Sequence, residues 1–395
     1  MVVVAVVTIA GRLPAEEPKK EPLPASGIER PELKALDELM TQFLAEQPAP
    51  GAALAVAKDG RLVYARGFGY ADVEAKRAVE PESRFRIASI TKWLTLAALC
   101  RLSEQGKLNF NDKVYDVLKL QPPDEAKFDA RWKKITINHL VGHSGGWDRA
   151  KSGDPMFKPV VIAREFGVPP PAKQEQIIQY MLEQPLDFEP GTKVVYSNFG
   201  YCLLGRVVEK LSGKPYDRYV IDELLTPIGV ARIEQGHTLT TADGEVKYYD
   251  KARPTGKGVF PENLDKDVPA PYGAWHLEAM DSHGGWISSA PDLVRFATAL
   301  GAPDRFPAYR GGAFQASFRV NSGHAGALDG TSTLLRREEN GITWCILFNS
   351  HRAANNNLSL VDAISPKLQE LLRGIKEWPD ADLFDELKYN ERVRK

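Results

Sequence analysis

The stretch FRIASITKWLTLAALCRLSEQG, from Phe85 to Gly106, predicts a helix that is apolar on nearly every side. A helix without a wide polar face is typical of one buried in the middle of a domain. Ser89 and Lys92 depart from this pattern, because they lie three residues apart in the predicted first turn, where their side chains share one face. A cation in a first turn opposes the helix dipole, so another group must hold Lys92.

A serine and a lysine in this arrangement suit nucleophilic catalysis. A hydroxyl becomes a nucleophile when a base or an adjacent cation lowers its pKa, and a desolvated lysine is one standard way to achieve this. The N-terminus of a helix adds a backbone N–H directed at a developing oxyanion. Chance often produces Ser-x-x-Lys, so this helix alone leaves open the alternative of an ordinary first turn.

Length, charge and cysteine content narrow the class of protein. The 395 residues are enough for one large domain or two closely packed lobes. A formal net charge of -1 with evenly mixed signs argues against a nucleic-acid or strongly anionic partner. Three cysteines lie in apolar runs and are predicted to be buried free thiols, namely Cys100, Cys202 and Cys345.

Residues 1–31 are predicted to lie outside the folded domain. Val2–Ala10 is too short to span a bilayer but fits the apolar core of a secretory signal peptide, although no basic segment precedes it. Arg12–Pro31 is rich in proline, glutamate and lysine, which is typical of a disordered linker. We therefore expect a periplasmic or secreted protein without a stable membrane span. The alternative is a cytoplasmic protein with a disordered apolar tail.

Strands and helices at both ends of the chain frame a helical middle. Pro31–Gln47 has helical periodicity, and Gly51–Gly60 and Arg61–Tyr70 alternate as two strands joined at Lys58-Asp59-Gly60. Further helices are predicted at Lys173–Gln184, Phe199–Ser212, Tyr216–Leu225, Ala290–Leu300 and Leu358–Ile375, further strands at Phe314–Val320, Thr331–Arg337 and Ile342–Asn349, and loops over a cleft at Thr238–Met280.

This order of elements predicts an α+β fold. One antiparallel sheet, completed by strands from both ends and flanked by the terminal helices, would lie beside an all-helical lobe, with a cleft between them. We expect a single domain at 32–380, with the sheet lobe formed by 32–82 and 284–380 and the helical lobe and cleft loops by 83–283. Residues 381–395 are expected to form a charged tail.

Two other patterns suggest chemistry but fit it poorly. The GHSGG sequence around Ser144 matches the Gly-x-Ser-x-Gly nucleophile elbow, but that elbow must be followed at once by a helix. The glycine, aspartate and proline residues that follow do not favour one. His139, His143 and Asp148 suggest a metal site, but no further ligand stands at a firm spacing. We therefore expect Ser144 not to be the nucleophile and no metal to bind.

Three motifs together resemble one family. Ser89–Lys92 (SITK), Tyr196–Asn198 (YSN) and His324–Gly326 (HAG) have the order and spacing of the class C β-lactamase-like serine hydrolases. That family also holds D-alanyl-D-alanine carboxypeptidases, D-amino-acid peptidases and amidases, and the family VIII carboxylesterases. The resemblance covers about residues 33–375 and includes ITINHLVGHSGG, FEPGTKVVYSNFGYCLLG, GGWISSAPDLVRFATAL and GHAGALDGTSTLL. It implies a β-lactamase and penicillin-binding-protein-like fold and a serine hydrolase that works through an acyl-enzyme.

The resemblance also implies a role for each motif residue. Ser89 would be the acylated nucleophile and Lys92 its charged neighbour. Tyr196 would be the general base of acylation, with a pKa lowered by the ammonium of Lys92. Asn198 would bind Lys92 and the substrate by hydrogen bonds, and the backbone N–H groups of Ser89 and Ala327 would form the oxyanion hole. No metal or organic cofactor is implied.

The third motif departs from the family pattern. His324-Ala325-Gly326 stands where Lys-Thr-Gly or His-Thr-Gly is usual, so the hydroxyl that helps to bind a substrate carboxylate is absent. A hydrogen bond to a charged group contributes about 1.5–3 kcal/mol. His324 and Gly326 remain candidates for substrate binding, and Arg319 is a candidate replacement for the carboxylate anchor.

We therefore expect a carboxylesterase that acts on short-chain or small esters. The alternatives are a D-Ala-D-Ala carboxypeptidase or D-aminopeptidase, a weak β-lactamase, and, from a different class, a slowly acylated sensor or scaffold that does not turn over. The expected partner is a small-molecule ester, amide or β-lactam.

Overall fold

Residues 23–47, 49–301, 318, 321–353 and 358–386 are described by a computed structural model. The signal-like segment, the candidate anchor Arg319 and the strand predicted at Phe314–Val320, apart from Phe318, lie outside these ranges. Within the described ranges, no helix combines the length and the apolar character needed to cross a bilayer.

One antiparallel sheet contains strands from both ends of the chain. In chain order the strands within the described ranges are β1 (Ala25–Ser26), β2 (Gly51–Lys58), β3 (Arg61–Asp72), β4 (Arg77–Ala78), β5 (Phe85–Arg86), β6 (Ile233–Gln235), β7 (Thr255–Lys257), β8 (Asp267–Pro269), β9 (Trp286–Ser288), β10 (Gly323–Leu328), β11 (Thr331–Arg337) and β12 (Ile342–Phe348). The spatial order in the main sheet is β1-β3-β2-β12-β11-β10, and β4 pairs with β3. The last strands of the chain therefore lie beside the first.

The β2–β3 hairpin forms where the turn sequence predicts it. Lys58 pairs with Arg61 across a two-residue loop, in which φ is 50° at Asp59 and 84° at Gly60. Positive φ at both central positions is the geometry of a type I′ turn, whose twist matches that of the two strands. Aspartate followed by glycine accommodates it at low cost.

Helices cover both faces of the sheet. They are α1 (Lys34–Glu46), α2 (Thr91–Glu104), α3 (Val114–Leu118), α4 (Ile137–Val141), α5 (Pro159–Glu165), α6 (Gln174–Leu182), α7 (Asn198–Ser212), α8 (Tyr216–Val220), α9 (Ala290–Gly301), α10 (Leu360–Gly374) and α11 (Leu383–Glu386). In β2, Leu54 and Val56 pack with the terminal helices α1 and α10, whereas Ala53 and Ala55 face the core that contains α9 and the helical lobe. The predicted α+β class and the flanking terminal helices are confirmed.

The helix that contains Lys92 is buried on all sides, as its sequence predicts. Every residue from Thr91 to Cys100 is buried, and α2 packs against α7 and α8. The predicted start at Phe85 is wrong, because β5 and the short 3-10 turn Ala88–Ile90 come first. Ala88 has a φ of 45°, which interrupts a regular helix just before the serine. Ser89 therefore lies in the 3-10 turn, where residues three apart are nearly eclipsed and Lys92 stays close.

The helical lobe is not free of strands. Strand β9 pairs with both β5 and β6, and β7 pairs with β8 within the cleft loops. These strands are two or three residues long, which is too short for the alternation that identifies a strand in a sequence. The prediction of an all-helical lobe is corrected on this point.

Two predicted boundaries also shift. Ala25 and Ser26, expected in the disordered linker, pair with Phe68 and Gly67 of β3 and form the edge of the main sheet. At the other end, residues 381–386 were expected in the charged tail, but Leu383 and Phe384 are buried. Short segments gain order when a sheet edge or an apolar surface is available, and sequence composition does not show that surface.

Candidate active site

The residues that lead into the Ser89 turn are bound to strand β11 of the main sheet. Thr331 Oγ1 donates to the backbone carbonyl of Arg86 over 3.0 Å, and Thr333 Oγ1 donates to that of Ile87 over 3.0 Å. Both threonines belong to β11. The sheet therefore holds the residues that lead into Ser89 in one place, and Ser89 itself remains partly exposed.

Strand β10 lies directly against the same turn, and Gly326 permits the close approach. A Cβ atom at Gly326 would lie 2.3 Å from the carbonyl oxygen of Ile87 and 2.3 Å from Thr333 Oγ1. Gly326, a candidate for substrate binding, therefore has a packing role that the sequence did not show. Ala327 follows it on β10, beside the Ser89 turn.

Three residues from two separate motifs meet at the Ser89 hydroxyl. Tyr196 Oη donates to Ser89 Oγ over 2.7 Å, and Lys92 Nζ lies 3.3 Å from the same oxygen. Lys92 Nζ also donates to Asn198 Oδ1 and to the backbone carbonyl of His283, each over 2.8 Å. These two acceptors are the groups that hold Lys92 at a helix start that does not favour it.

The electrostatics of Lys92 and Tyr196 differ from the expectation. Lys92 is fully buried, and burial lowers its pKa well below the ordinary value, although the charge of Asp154 opposes this. Burial raises the pKa of Tyr196 to about 12, against smaller opposing effects of Ser89 and Arg149. The expectation that Lys92 lowers the pKa of Tyr196 is therefore wrong. The pKa of Tyr196 is raised and that of Lys92 is lowered, because removal from water disfavours both phenolate and ammonium.

A helix cap and a stacked histidine position Tyr196. Ser197 caps α7 by accepting from the backbone N–H of Gly200 over 3.0 Å, which places Tyr196 just before the helix. The His143 ring lies 4.5 Å from the Tyr196 ring, between centroids, and its Nδ1 accepts from the Ser197 N–H over 3.2 Å. Burial is the main cause that lowers the pKa of His143 to about 4, so it contacts the tyrosine as a neutral ring.

The nucleophile elbow suggested around Ser144 does not form. Helix α4 ends at Val141, and no helix follows Ser144 until the 3-10 turn Pro155–Phe157. Ser144 Oγ donates to the backbone carbonyl of His139 over 3.3 Å. The geometry thus agrees with the expectation that Ser144 is not the nucleophile.

The suggested metal ligands have separate structural roles. His139 Nδ1 accepts from the backbone N–H of Thr136 in a capping box, and Asp148 pairs with Lys193 over 2.7 Å. In the part of the chain that the structure describes, no group of three or more His, Cys, Asp or Glu side chains could hold a metal ion.

His324 provides no permanent cation near Ser89. Its Nδ1 lies 2.8 Å from the backbone carbonyl of Ala325. Burial is the main cause that lowers the pKa of His324 to about 4, so the ring is neutral at pH 7. This agrees with the expectation that the HAG strand lacks a cation to pair with a substrate carboxylate.

Two residues that the sequence did not single out lie beside the site. Asp154 Oδ2 accepts from Asn198 Nδ2 over 2.8 Å. Arg149 is exposed, and its guanidinium carbon lies 5.2 Å from the centre of the Tyr196 ring. An aspartate before Pro155 is a recognisable helix-cap signal, but it predicts only the cap that Asp154 also forms. No local signal identifies Arg149 or the carbonyl of His283.

Known proteins are similar to this chain in sequence and in fold. N-acetylmuramyl-L-alanine amidase of Bacillus subtilis (strain 168) is 29% identical over 293 residues, which is 66% of this chain and 61% of the amidase. The chain thus spans about three fifths of the length of the curated relatives it matches. Among solved structures, D-amino acid amidase from Ochrobactrum anthropi SV3 superposes with a TM-score of 0.67 and 19% identity, covering 87% of this chain and 99% of the amidase.

A second solved structure, EstCE1, is described as a hydrolase with promiscuous acyltransferase activity. It superposes with a TM-score of 0.63 and 21% identity, covering 87% of this chain and 98% of EstCE1. At these identities the two structures show a shared fold. The family model described as Beta-lactamase matches residues 36–363, which is most of the chain. With that match, and with a lysine and a tyrosine within hydrogen-bonding distance of one serine hydroxyl, the chain belongs to the β-lactamase family of serine hydrolases.

Proposed function

We propose that this protein hydrolyses small esters through an acyl-enzyme on Ser89. The observation that carries the proposal is the position of Ser89 Oγ, which lies 2.7 Å from Tyr196 Oη and 3.3 Å from Lys92 Nζ. A partly exposed hydroxyl between two proton-transferring groups is the arrangement that a serine nucleophile needs.

The hydrogen bonds of Lys92 support its use as the proton acceptor for Ser89. Asn198 Oδ1 and the carbonyl of His283 can only accept, so they take two N–H groups of the amine. Burial favours the neutral amine, which has two N–H groups and one lone pair. The remaining neighbour is Ser89 Oγ, so the lone pair can accept the hydroxyl proton as Oγ attacks the substrate carbonyl.

Tyr196 then acts as the general acid for the leaving group. Its hydroxyl is neutral in the resting site, since its pKa is raised to about 12. As the C–O bond of the ester breaks, Tyr196 gives its proton to the departing oxygen and regains one from the Lys92 ammonium. A water molecule reverses these transfers to release the acid and regenerate Ser89. The backbone N–H groups of Ser89 and Ala327 are the proposed donors to the oxyanion.

The HAG motif supports esters over β-lactams. His324 is neutral at pH 7, and Ala325 offers no hydroxyl, so this strand lacks the groups that would compensate for burying a carboxylate. An uncharged ester needs no such group. Each missing hydrogen bond to a charge would weaken binding by about 1.5–3 kcal/mol, or at least tenfold.

Arg149 favours a second candidate, an amide or D-peptide substrate that carries an anion. The guanidinium lies over the ring of Tyr196, the residue that protonates the leaving group in the proposed mechanism, and could pair with a carboxylate on that group. Matched substrates, 4-acetoxybenzoate and 4-acetoxybenzamide, differ only in this charge. If Arg149 binds it, Arg149→Gln lowers kcat/KM for the benzoate at least about tenfold more than for the benzamide. Lys151→Gln, in the same loop, is the control.

A sensor or scaffold that acylates but does not turn over remains the alternative from a different class. The intact hydrogen bonds among Ser89, Lys92 and Tyr196 support turnover instead. A burst of product equal to the enzyme concentration, followed by no further release, would support the sensor.

The direct test combines labelling with a substrate screen. A fluorophosphonate should modify Ser89 in the wild type, and Ser89→Ala should abolish both labelling and hydrolysis of p-nitrophenyl butyrate. Nitrocefin, D-Ala-D-Ala peptides and D-amino-acid amides should be turned over more slowly than the ester. Modification at Ser144, or full activity in Ser89→Ala, would refute the proposal.

We also propose that the enzyme acts outside the cytoplasm. The support is the apolar segment Val2–Ala10 and the Pro-, Glu- and Lys-rich stretch after it. Expression of the full chain with a C-terminal tag, followed by N-terminal sequencing, should show removal of that segment and recovery in the periplasm or medium. An uncleaved product in the cytoplasm would contradict this.

A further inference from the structure

Asp154 lies at the end of a chain of hydrogen bonds that leads to the nucleophile. Its Oδ2 accepts from Asn198 Nδ2 over 2.8 Å, and its Oδ1 accepts from the backbone N–H of Met156 over 3.0 Å. On its other side Asn198 Oδ1 accepts from Lys92 Nζ over 2.8 Å. The amide of Asn198 thus connects a carboxylate to the lysine beside Ser89.

The carboxylate decides which way the Asn198 amide points. Both oxygens of Asp154 face N–H groups, as an ionised carboxylate requires, and such a group can only accept. Asn198 must therefore turn its NH₂ group towards Asp154 and its oxygen towards Lys92. The reversed amide would place two acceptors together at Asp154 and would present N–H groups to the lysine amine.

The orientation of the amide determines what the lysine can do. With an oxygen at Asn198 and a carbonyl at His283, two N–H groups of Lys92 are engaged, and the third direction is towards Ser89 Oγ. We propose that Asp154 is a positioning residue, which fixes the orientation of the Asn198 amide and thereby directs Lys92 at Ser89. This inference rests on the proposed function.

Asp154 also acts on Lys92 through its charge. Burial raises the pKa of the Asp154 carboxyl, while the hydrogen bonds from Asn198 and Met156 oppose that effect. The negative charge in turn raises the pKa of Lys92 against the larger effect of burial, and Arg149 lowers it. The other titratable groups that face Lys92 are Tyr196, Tyr201, His143, His283 and His324.

The negative charge of Asp154 determines the direction in which the pH profile of acylation should shift when Asp154 is replaced. Acylation requires neutral Lys92, so the rate rises with pH through the pKa of Lys92 and then levels off. Loss of the Asp154 charge lowers this pKa, so the acid limb of the rate profile moves to lower pH. Loss of the acceptor lowers the plateau, because the amide is no longer held in one orientation.

The test uses two variants of Asp154 and the rate at which a fluorophosphonate labels Ser89, measured between about pH 5 and 9. Asp154→Asn removes the charge and can face Asn198 in either orientation. Asp154→Ser also removes the charge, but serine is a preferred helix cap, so this variant keeps the turn at Pro155–Phe157. We expect both to label about 10 to 10² times more slowly on the plateau, with the acid limb moved to lower pH.

Asp129→Asn is the matched control. Asp129 caps the 3-10 turn Ala130–Lys134 and pairs with Arg131, so its loss removes a capping carboxylate from the same lobe without touching Lys92. We expect a lower Tm and an unchanged acid limb.

The inference and the proposed function can fail separately. If wild-type Ser89 is not labelled and no ester is hydrolysed, the proposed function is wrong. If wild-type Ser89 is labelled and folded Asp154→Ser labels at the same rate with the same acid limb, Asp154 is only a helix cap, and the inference is wrong. A lower plateau with the limb moved to lower pH supports the positioning role.

Discussion

Replacement of Tyr196 by phenylalanine separates the two roles that a tyrosine can have beside a serine. The substitution removes the hydroxyl that donates to Ser89 Oγ over 2.7 Å and leaves the ring stacked on His143. Ser89 Oγ keeps Lys92 Nζ as a neighbour at 3.3 Å, so no buried partner is left without a hydrogen bond. We therefore expect a folded protein in which Ser89 still attacks.

The expected loss of activity in Tyr196→Phe depends on which proton transfer the substitution removes. One neutral hydrogen bond contributes about 0.5–1.5 kcal/mol, which would change binding by about two- to twelvefold. Loss of a general acid costs about 10² to 10⁴ in rate, or about 2.7–5.5 kcal/mol. Because the pKa of Tyr196 is raised to about 12, we expect the phenol to act as the acid for the leaving group and not as the base for Ser89. The loss should therefore depend on how much the leaving group needs a proton.

The assay compares two butyrate esters in the wild type and in Tyr196→Phe. p-Nitrophenolate departs without a proton, so its ester should lose less than about tenfold in kcat/KM, whereas ethyl butyrate should lose about 10² or more. KM should change little for either ester. Equal losses of about 10² or more for both would show that Tyr196 is the base that activates Ser89. A loss under about fivefold for both would show that Tyr196 has neither role.

Three further variants test other parts of the site. Lys92→Arg places a permanent cation beside Ser89 and should lower kcat/KM at least about 10²-fold at every pH. The activity of the wild type should instead reach its plateau below the ordinary pKa of lysine. Substantial activity in Lys92→Arg would exclude Lys92 as the base. His324→Lys combined with Ala325→Thr should raise the ratio of cephalosporin to ester kcat/KM at least about tenfold. In the wild type this ratio should not follow a histidine titration between about pH 5.5 and 8.5, because the pKa of His324 is about 4. A wild type that prefers the cephalosporin would contradict the argument from the missing hydroxyl. Gly326→Ala places a methyl group 2.3 Å from the carbonyl oxygen of Ile87 and should lower both Tm and the rate of Ser89 labelling. Gly374→Ala should lower neither, because an added Cβ atom there meets no other part of the protein within 4 Å. A Gly326→Ala protein with wild-type Tm and labelling would show that β10 adapts.

Short-range interactions made much of the fold predictable. The absence of a polar face on Thr91–Glu104 identified the central buried helix, and Asp59-Gly60 identified the hairpin turn. The short strands β5, β6 and β9 were not predictable, since two or three residues carry no measurable alternation. Their pairing depends on partners far along the chain.

The candidate site also contains residues that the sequence predicts and residues that it does not. Ser89, Lys92 and Tyr196 could be selected from local motifs and their order, and the structure brings Lys92 and Tyr196 within hydrogen-bonding reach of Ser89 Oγ. Asp154 and His283 were missed as parts of the site, because each acts through a contact with a residue distant in sequence. A backbone carbonyl such as that of His283 has no side-chain signature at all.

The amino-acid sequence by itself determined the buried helix α2, the hairpin, the order of the motifs and the missing hydroxyl at Ala325, because each depends on the identity of residues close together in the chain. Only the tertiary structure decided the protonation of the site. The pKa of Lys92 is lowered and that of Tyr196 is raised by burial, and that burial is produced by atoms from many parts of the chain. Lys92 meets the His283 carbonyl across 191 residues of sequence, and Asn198 meets Asp154 across 44. Desolvation and hydrogen bonding act through space, so the direction in which a proton moves is a property of the folded site.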